Sequence, residues 1–200
     1  MADMKGRVSE LGSWLDRHPD GTVRCIFTGR ILSNRTGEWL VKNNEEHSFC
    51  QSWQKSQSKQ MIQQKKPATG KDPFHIFITD KSANGSKGDK VIGRGPSNLE
   101  PGTQTGRYYL PSATEYHGVL ARAALYVMVT YKNRGLDGLG EQKVPREALA
   151  WYQDTATNKE VSLWELHRNA EIQKMYGARN PFIDYPEWAS KLDFVGNMYS

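Results

Sequence analysis

Cysteine is nearly missing from this chain. Only Cys25 and Cys50 occur among 200 residues, with no CxxC pair. That excludes a zinc knuckle and a disulfide framework. One bridge between the two cysteines stays open. Reduced thiols in an intracellular protein are the simpler reading, and under it the triplets Asn34-Arg-Thr and Asn84-Gly-Ser are chance glycosylation matches. Long apolar runs are missing too. No stretch nears ~18 consecutive apolar residues, so no membrane span is expected. The start, Met1-Ala-Asp-Met-Lys-Gly-Arg-Val-Ser-Glu-Leu11, lacks the apolar segment of a secretory signal. The expected location is intracellular, with nucleus, cytoplasm and virion left undistinguished. There is no internal repeat. Gly135-Leu-Asp-Gly-Leu-Gly140 lacks the Gly-Lys-Ser/Thr ending of a P-loop and reads as a linker.

What is present describes a folded protein. Apolar residues make up 37% and charged residues 24%, ordinary globular values that argue against wholesale disorder. The length suits one domain, or one domain with a tail. Basic residues number 27 against 22 acidic, a net +5. The stretch from Lys55 to Lys90 holds eight lysines and three acids, 8 − 3 = +5, so it carries the whole formal excess. Such a patch can neutralise phosphates and release counterions; a solvated lysine-rich loop is the plain alternative.

The pattern along the chain predicts an α+β fold. Val8, Leu11, Trp14 and Leu15 fall at helical spacing. Thr22 to Thr28 and Phe74 to Thr79 have strand character. Residues 84–106, with six Gly and two Pro, read as loops or turns, and Asn84-Gly85 as a turn. Ser112-Ala-Thr-Glu115 is a capping-box pattern ahead of an apolar helix from Gly118 to about Tyr131. Pro145 can start another helix, and Ser162-Leu-Trp-Glu165 opens one that stops at Gly177. The tail from Asn180 to Trp188 reads as extended.

Glu46, His47 and Asn84 stand out chemically. Phosphodiester hydrolysis needs a base for water, a divalent cation at the phosphate and a positive group beside it. Histidine is the natural base, since its pKa near 6.5 leaves it largely neutral at pH 7. Magnesium prefers oxygen ligands and keeps several waters, so one carboxylate and one amide oxygen can hold it.

Four blocks resemble the endonuclease I family of non-specific nucleases, which share a ββα-metal (His-Me finger) active site. Asn44-Glu-Glu-His-Ser-Phe-Cys-Gln-Ser-Trp53 is similar to its Glu-His region. Asp72, His75, Asp80 and Asn84 fall on the Asp, His, Asp and Asn of its second motif. Ala121-Arg-Ala123 matches its Ala-Arg-Ala helix. Arg168-Asn-Ala-Glu-Ile172 and Gly177-Ala-Arg-Asn-Pro-Phe-Ile-Asp-Tyr-Pro-Glu187 look like its C-terminal signature. The resemblance implies a ββα-metal core packed against several helices, with its ββα unit from about Cys25 to Ser86. It makes the whole chain, 1–200, one nuclease domain: a helical extension over 1–22, the ββα-metal region over 24–90, and a helical part over 110–190. It further implies His47 as general base and one Mg²⁺ on Glu46 and Asn84, with Mn²⁺ or Ca²⁺ as substitutes. His75 and Asp80 would hold the motif in place without touching the metal.

The chain departs from the family pattern in four places. Ser48-Phe49-Cys50 replaces a Trp-Pro pair, Lys87 replaces an Arg, and Val119 replaces an acid. No Arg occurs in residues 48–83, so Lys65 or Lys66 would contact the product phosphate, with Lys87 as a further phosphate contact. Phe49 and Trp53 are expected in the core.

The function expected is Mg²⁺-dependent cutting of DNA, with RNA as a second substrate class and little sequence preference. An inhibitor protein, packaging in a virion or restricted expression would protect the host's own DNA. The alternative is a nucleic-acid-binding or structural protein, virion-associated for example, on the same fold with its catalysis lost. A sequence-specific restriction or homing nuclease ranks last, because no separate recognition domain is visible.

Overall fold

The structure, a computed structural model, describes residues 15–32, 42–50, 53, 72–132 and 143–198. The helix expected before residue 15, the linker at 135–140 and five of the eight lysines of the 55–90 stretch lie outside the described residues.

Two strands carry the centre. β1 (Asn43–His47) pairs antiparallel with β2 (Ile76–Asp80), with Glu46 opposite Phe77 and His47 opposite Ile76. β2 is apolar and β-branched, and all five of its residues are buried. β1 contains no strong strand former; the ladder with β2 holds it extended. At the end of β2 the chain turns into α1 (Lys81–Lys87). Asp80 is its N-cap: the carboxylate accepts from Ala83 N at 2.8 Å and from Ser82 Oγ at 2.7 Å. α1 stops at Gly88, whose φ of +48° suits glycine. Asn84-Gly85 is therefore helical, not a turn, because the Asp80 cap starts a helix that runs through it.

The outer edge of β2 is closed mainly by side chains. Ile26 N donates to the Ile78 carbonyl at 3.2 Å, Ile78 N donates to Asp16 at 2.9 Å, and Arg168 donates to the Ile76 carbonyl at 2.6 Å. The strand expected over Thr22–Thr28 is reduced to two isolated bridges, Arg17 with Val23 and Arg24 with Ile31. A second small sheet follows: β3 (Val91–Ile92) parallel to β5 (Tyr108–Tyr109), with β4 (Gln104–Thr105) antiparallel on the other side of β5.

Helices cover this centre. α2 (His117–Tyr131) is buried from His117 to Met128, as its apolar sequence demands. The capping box expected at Ser112 does not cap it. Ser112 bonds the Phe27 carbonyl at 3.3 Å, and a 3₁₀ turn at Thr114–Tyr116 leads into the helix. α3 (Arg146–Asn158) follows Pro145 and packs on α2. α4 (Leu163–Tyr176) is capped by Ser162, which accepts from Glu165 N, and ends at Gly177 in the left-handed conformation, as expected. The tail is not extended. Asn180 caps a short helix, α5 (Pro181–Asp184), followed by α6 (Trp188–Lys191) and α7 (Phe194–Met198). Proline at the first helical position explains the change.

Arg122 binds the helices together. It donates to both carboxylate oxygens of Glu165, at 2.8 and 2.6 Å, and to the carbonyls of Ala156 and Lys159 at 3.0 Å. Gly118 is required beside it, since a Cβ there would stand 2.7 Å from Arg122 Nη2 and 2.8 Å from Lys159 Cβ. Asn180 adds a bond to the Arg122 carbonyl.

Two partly or fully buried histidines give stability a pH dependence. His18 stacks on Trp164 and meets the Tyr116 hydroxyl at 3.0 Å; His117 Nε2 lies 2.8 Å from the Pro111 carbonyl. Burial, the largest effect on each, lowers both pKa values below the usual 6.5. Below about pH 6.5 the unfolded chain therefore binds more protons than the folded one. The contribution is complete above that pH and is lost as pH falls through the lower folded values. The urea midpoint should be lower at pH 5.5 than at pH 7.5. Equal midpoints would refute this account.

Candidate active site

The site grows from β1 and α1. Glu46 and His47 are consecutive residues at the end of β1. The Glu46 carboxylate is buried, while His47 is half-buried with its ring 5.3 Å from that of His75. Asn84 lies on α1, and its amide nitrogen donates to the Glu45 carbonyl at 3.5 Å. One turn on, Lys87 faces the same strand. Its Nζ lies 2.7 Å from Glu46 Oε1, 3.1 Å from the His47 carbonyl and 3.1 Å from Cys50 Sγ. The structure thus brings Glu46, His47 and Asn84 into one unit, and Lys87 ties helix to strand.

Lys87 is where the expectation changes. It is 1% exposed, and an ammonium has three donors, all three of which meet protein acceptors. It does not stand on an outer surface where a phosphate backbone lies, so the expected phosphate contact is replaced by an internal one. Burial opposes its charge most strongly, but Glu46 and Cys50 outweigh burial and hold its pKa above the ordinary lysine value. Burial raises the pKa of Glu46, and Lys87 pulls it back. Lys65 and Lys66 lie outside the described residues.

The supporting residues have defined tasks. Asp80 caps α1 and so orients the helix that carries Asn84. Asp72 caps the 3₁₀ turn Pro73–His75, accepting from Phe74 N at 2.9 Å, and also accepts from the Tyr131 hydroxyl at 2.8 Å. The carbonyl of fully buried His75 accepts from Ser48 N at 2.9 Å. Phe49 and Trp53 are buried against each other, edge to face. Cys25 and Cys50 are both buried, and no disulfide joins them. Cys25 Sγ meets Thr79 Oγ1 at 3.0 Å. Burial pushes the Cys50 thiol up from its usual pKa, away from the reactive thiolate.

The donor set suits a hard cation. Lys87 pairs with Glu46 Oε1, and among the described residues the Asn84 amide oxygen carries no hydrogen bond. A carboxylate and an amide oxygen are the donor types that magnesium prefers. Among the described residues no three His, Cys, Asp or Glu side chains converge.

Sequence reasoning missed three residues here: Cys50, which receives Lys87; Asp16, which closes β2; and Arg30. Arg30 is 71% exposed and bonds Asp80 at 3.1 Å, at the edge of a polar cleft along α1 that also includes Ser82, Ser86 and Gln104. The three-residue spacing of Asn84 and Lys87, one helical turn, was the signal available for the Lys87 contact.

A strand pair, a helix leaving the second strand, an acid–histidine pair on the first strand and an amide on the helix define a ββα-metal nuclease unit. The Endonuclease I family model matches residues 3–187, and the chain belongs to the endonuclease I family. The family makes it a nuclease by descent, with nucleic acid as substrate class and a divalent metal as cofactor class. Comparison with curated proteins gives no match. Among the described residues, no helix is long and apolar enough to cross a membrane.

Proposed function

We infer that this chain is a Mg²⁺-dependent, non-specific endonuclease acting on DNA, with RNA as a second substrate class, and that residues 1–200 form one nuclease module. The observation that carries the reading is the placing of Glu46, His47 and Asn84 on adjoining parts of one ββα unit. His47 is the general base that takes a proton from the attacking water. Glu46 and Asn84 hold the metal, which supplies Lewis-acid stabilisation of the phosphate and leaving oxygen when bound. Lys87 keeps the buried Glu46 carboxylate in place. Phosphate-centred contacts give little sequence preference, since they carry no base information. Two buried cysteines without a disulfide agree with a reducing compartment.

Arg30 takes the phosphate role left open by the burial of Lys87. One of its five donors meets Asp80, and the others are available for a backbone phosphate. Its ion pair with Asp80 is exposed on the arginine side and worth at most about 1 kcal/mol, so Arg30→Ala leaves the α1 cap intact. In that variant the slope of log affinity against log salt should fall by about one. An unchanged slope removes Arg30 from the interface.

The test of the function is plasmid nicking by the purified full chain with Mg²⁺, Mn²⁺ or Ca²⁺, each with and without EDTA. Nicking that EDTA abolishes supports the reading. Binding of DNA at low salt without nicking in any ion supports the binding or structural protein instead.

A further inference from the structure

Glu46 is asked to do two things. It is 6% exposed, and a buried carboxylate needs a cationic partner. Lys87 is that partner at 2.7 Å, held there by two further acceptors, the His47 carbonyl and Cys50 Sγ, each at 3.1 Å. Yet Glu46 is also the carboxylate offered to the metal. One carboxylate thus serves two cations, and like charges placed beside it repel.

We propose that Lys87 is a positioning residue that acts as the resident counter-cation of Glu46 and lowers the site's affinity for its divalent ion. The proposal rests on the Glu46–Asn84 metal reading above. Lys87 keeps the site folded before an ion arrives, and its charge opposes the ion once it does. The ion is consequently held loosely enough to exchange with solution. The contact of Lys87 with the His47 carbonyl fixes the neighbouring backbone through the same ammonium, so the proposed metal site and base share one anchor.

The two roles predict opposite signs in two measurements. Lys87→Met keeps the side chain long and removes the charge. Without metal, its melting temperature should fall below that of the natural chain, because Glu46 has lost its partner. Ca²⁺ binding, followed by calorimetric titration of the full chain, should nevertheless tighten by at least about tenfold, because the opposing charge is gone. Saturating Ca²⁺ should accordingly raise the melting temperature of the variant more than that of the natural chain. Lys87→Arg retains the charge and should bind Ca²⁺ with near-natural affinity.

A merely structural Lys87 would lower stability and leave Ca²⁺ affinity unchanged or weaker, and that result overturns the proposal. If the natural chain binds no Ca²⁺, Mg²⁺ or Mn²⁺, the metal reading itself fails and the proposal with it. Should Lys87→Met not fold, the natural chain supplies the answer through the ¹⁵N resonance of the Lys87 ammonium. That resonance should move with Ca²⁺ at the calorimetric midpoint. A resonance that stays still at saturating Ca²⁺ overturns the proposal.

Discussion

Replacing His47 by alanine should slow nucleic-acid cleavage by roughly two to four orders of magnitude, the usual contribution of a general base, and leave DNA affinity within severalfold of the natural value. The separation of rate from binding follows from the geometry. The His47 backbone is held by pairing with Ile76 and by Lys87 on its carbonyl, and alanine keeps both contacts. The carboxylate and amide assigned to the metal remain, as does exposed Arg30. What disappears is the imidazole alone, the group proposed to accept the proton of water. Single-turnover cleavage of a plasmid measures the first effect, and anisotropy of labelled DNA the second. A His47→Ala protein that cuts at the natural rate would remove His47 from the mechanism. One that neither cuts nor binds, while unfolding at a lower temperature, would show that the side chain supports the fold.

Local chemistry made some elements readable in advance. Ile76 to Thr79 could be recognised as strand because its residues are apolar or β-branched, whereas Phe74 and His75, expected in the same strand, belong to the 3₁₀ turn that Asp72 caps. α4 was readable at both ends, since Ser162 and Gly177 satisfy backbone groups by local bonds. β1 was not readable, because Asn43-Asn-Glu-Glu-His47 has no strand preference and is extended by its neighbour. Tertiary context decided the site as well. Asn84-Gly85 has turn composition, yet Asp80 caps a helix across it. Lys87 sits in a lysine-rich run that reads as solvated, yet Glu46, His47 and Cys50, all distant in sequence, enclose it. The trio Glu46, His47 and Asn84 is read from chemistry and family resemblance; Glu46 and His47 lie on β1, and Asn84 lies on α1, bonded to the Glu45 carbonyl. The phosphate contacts were the weaker part. Charge counting located positive residues without showing which of them face solvent.

The C-terminal signature marks the family without supplying a reacting group, and its Arg168 should prove among the most sensitive positions for stability. Arg168 is 4% exposed. It donates to Asp16 at 2.7 Å, a partner 152 positions away, and to the Ile76 carbonyl at 2.6 Å, while its guanidinium lies 4.5 Å over the Phe77 ring. Asp16 in turn accepts from Ile78 N at 2.9 Å. Together they close the free edge of the strand that pairs with Glu46 and His47. Arg168→Ala leaves the buried Asp16 carboxylate uncompensated, a loss of about 3–5 kcal/mol. For a chain of this size that lowers the melting temperature by about 10 °C. Removing both charges should be milder. In Asp16→Leu/Arg168→Met no buried charge is left alone, so the pair should lose less than either single variant. Thermal unfolding of Arg168→Ala, Asp16→Leu, Arg168→Met and the double variant checks both statements. Additive losses in the double variant would mean the two residues act separately. A loss below about 1 kcal/mol in Arg168→Ala, the level of an ordinary surface ion pair, would mean that the edge of β2 is secured without them.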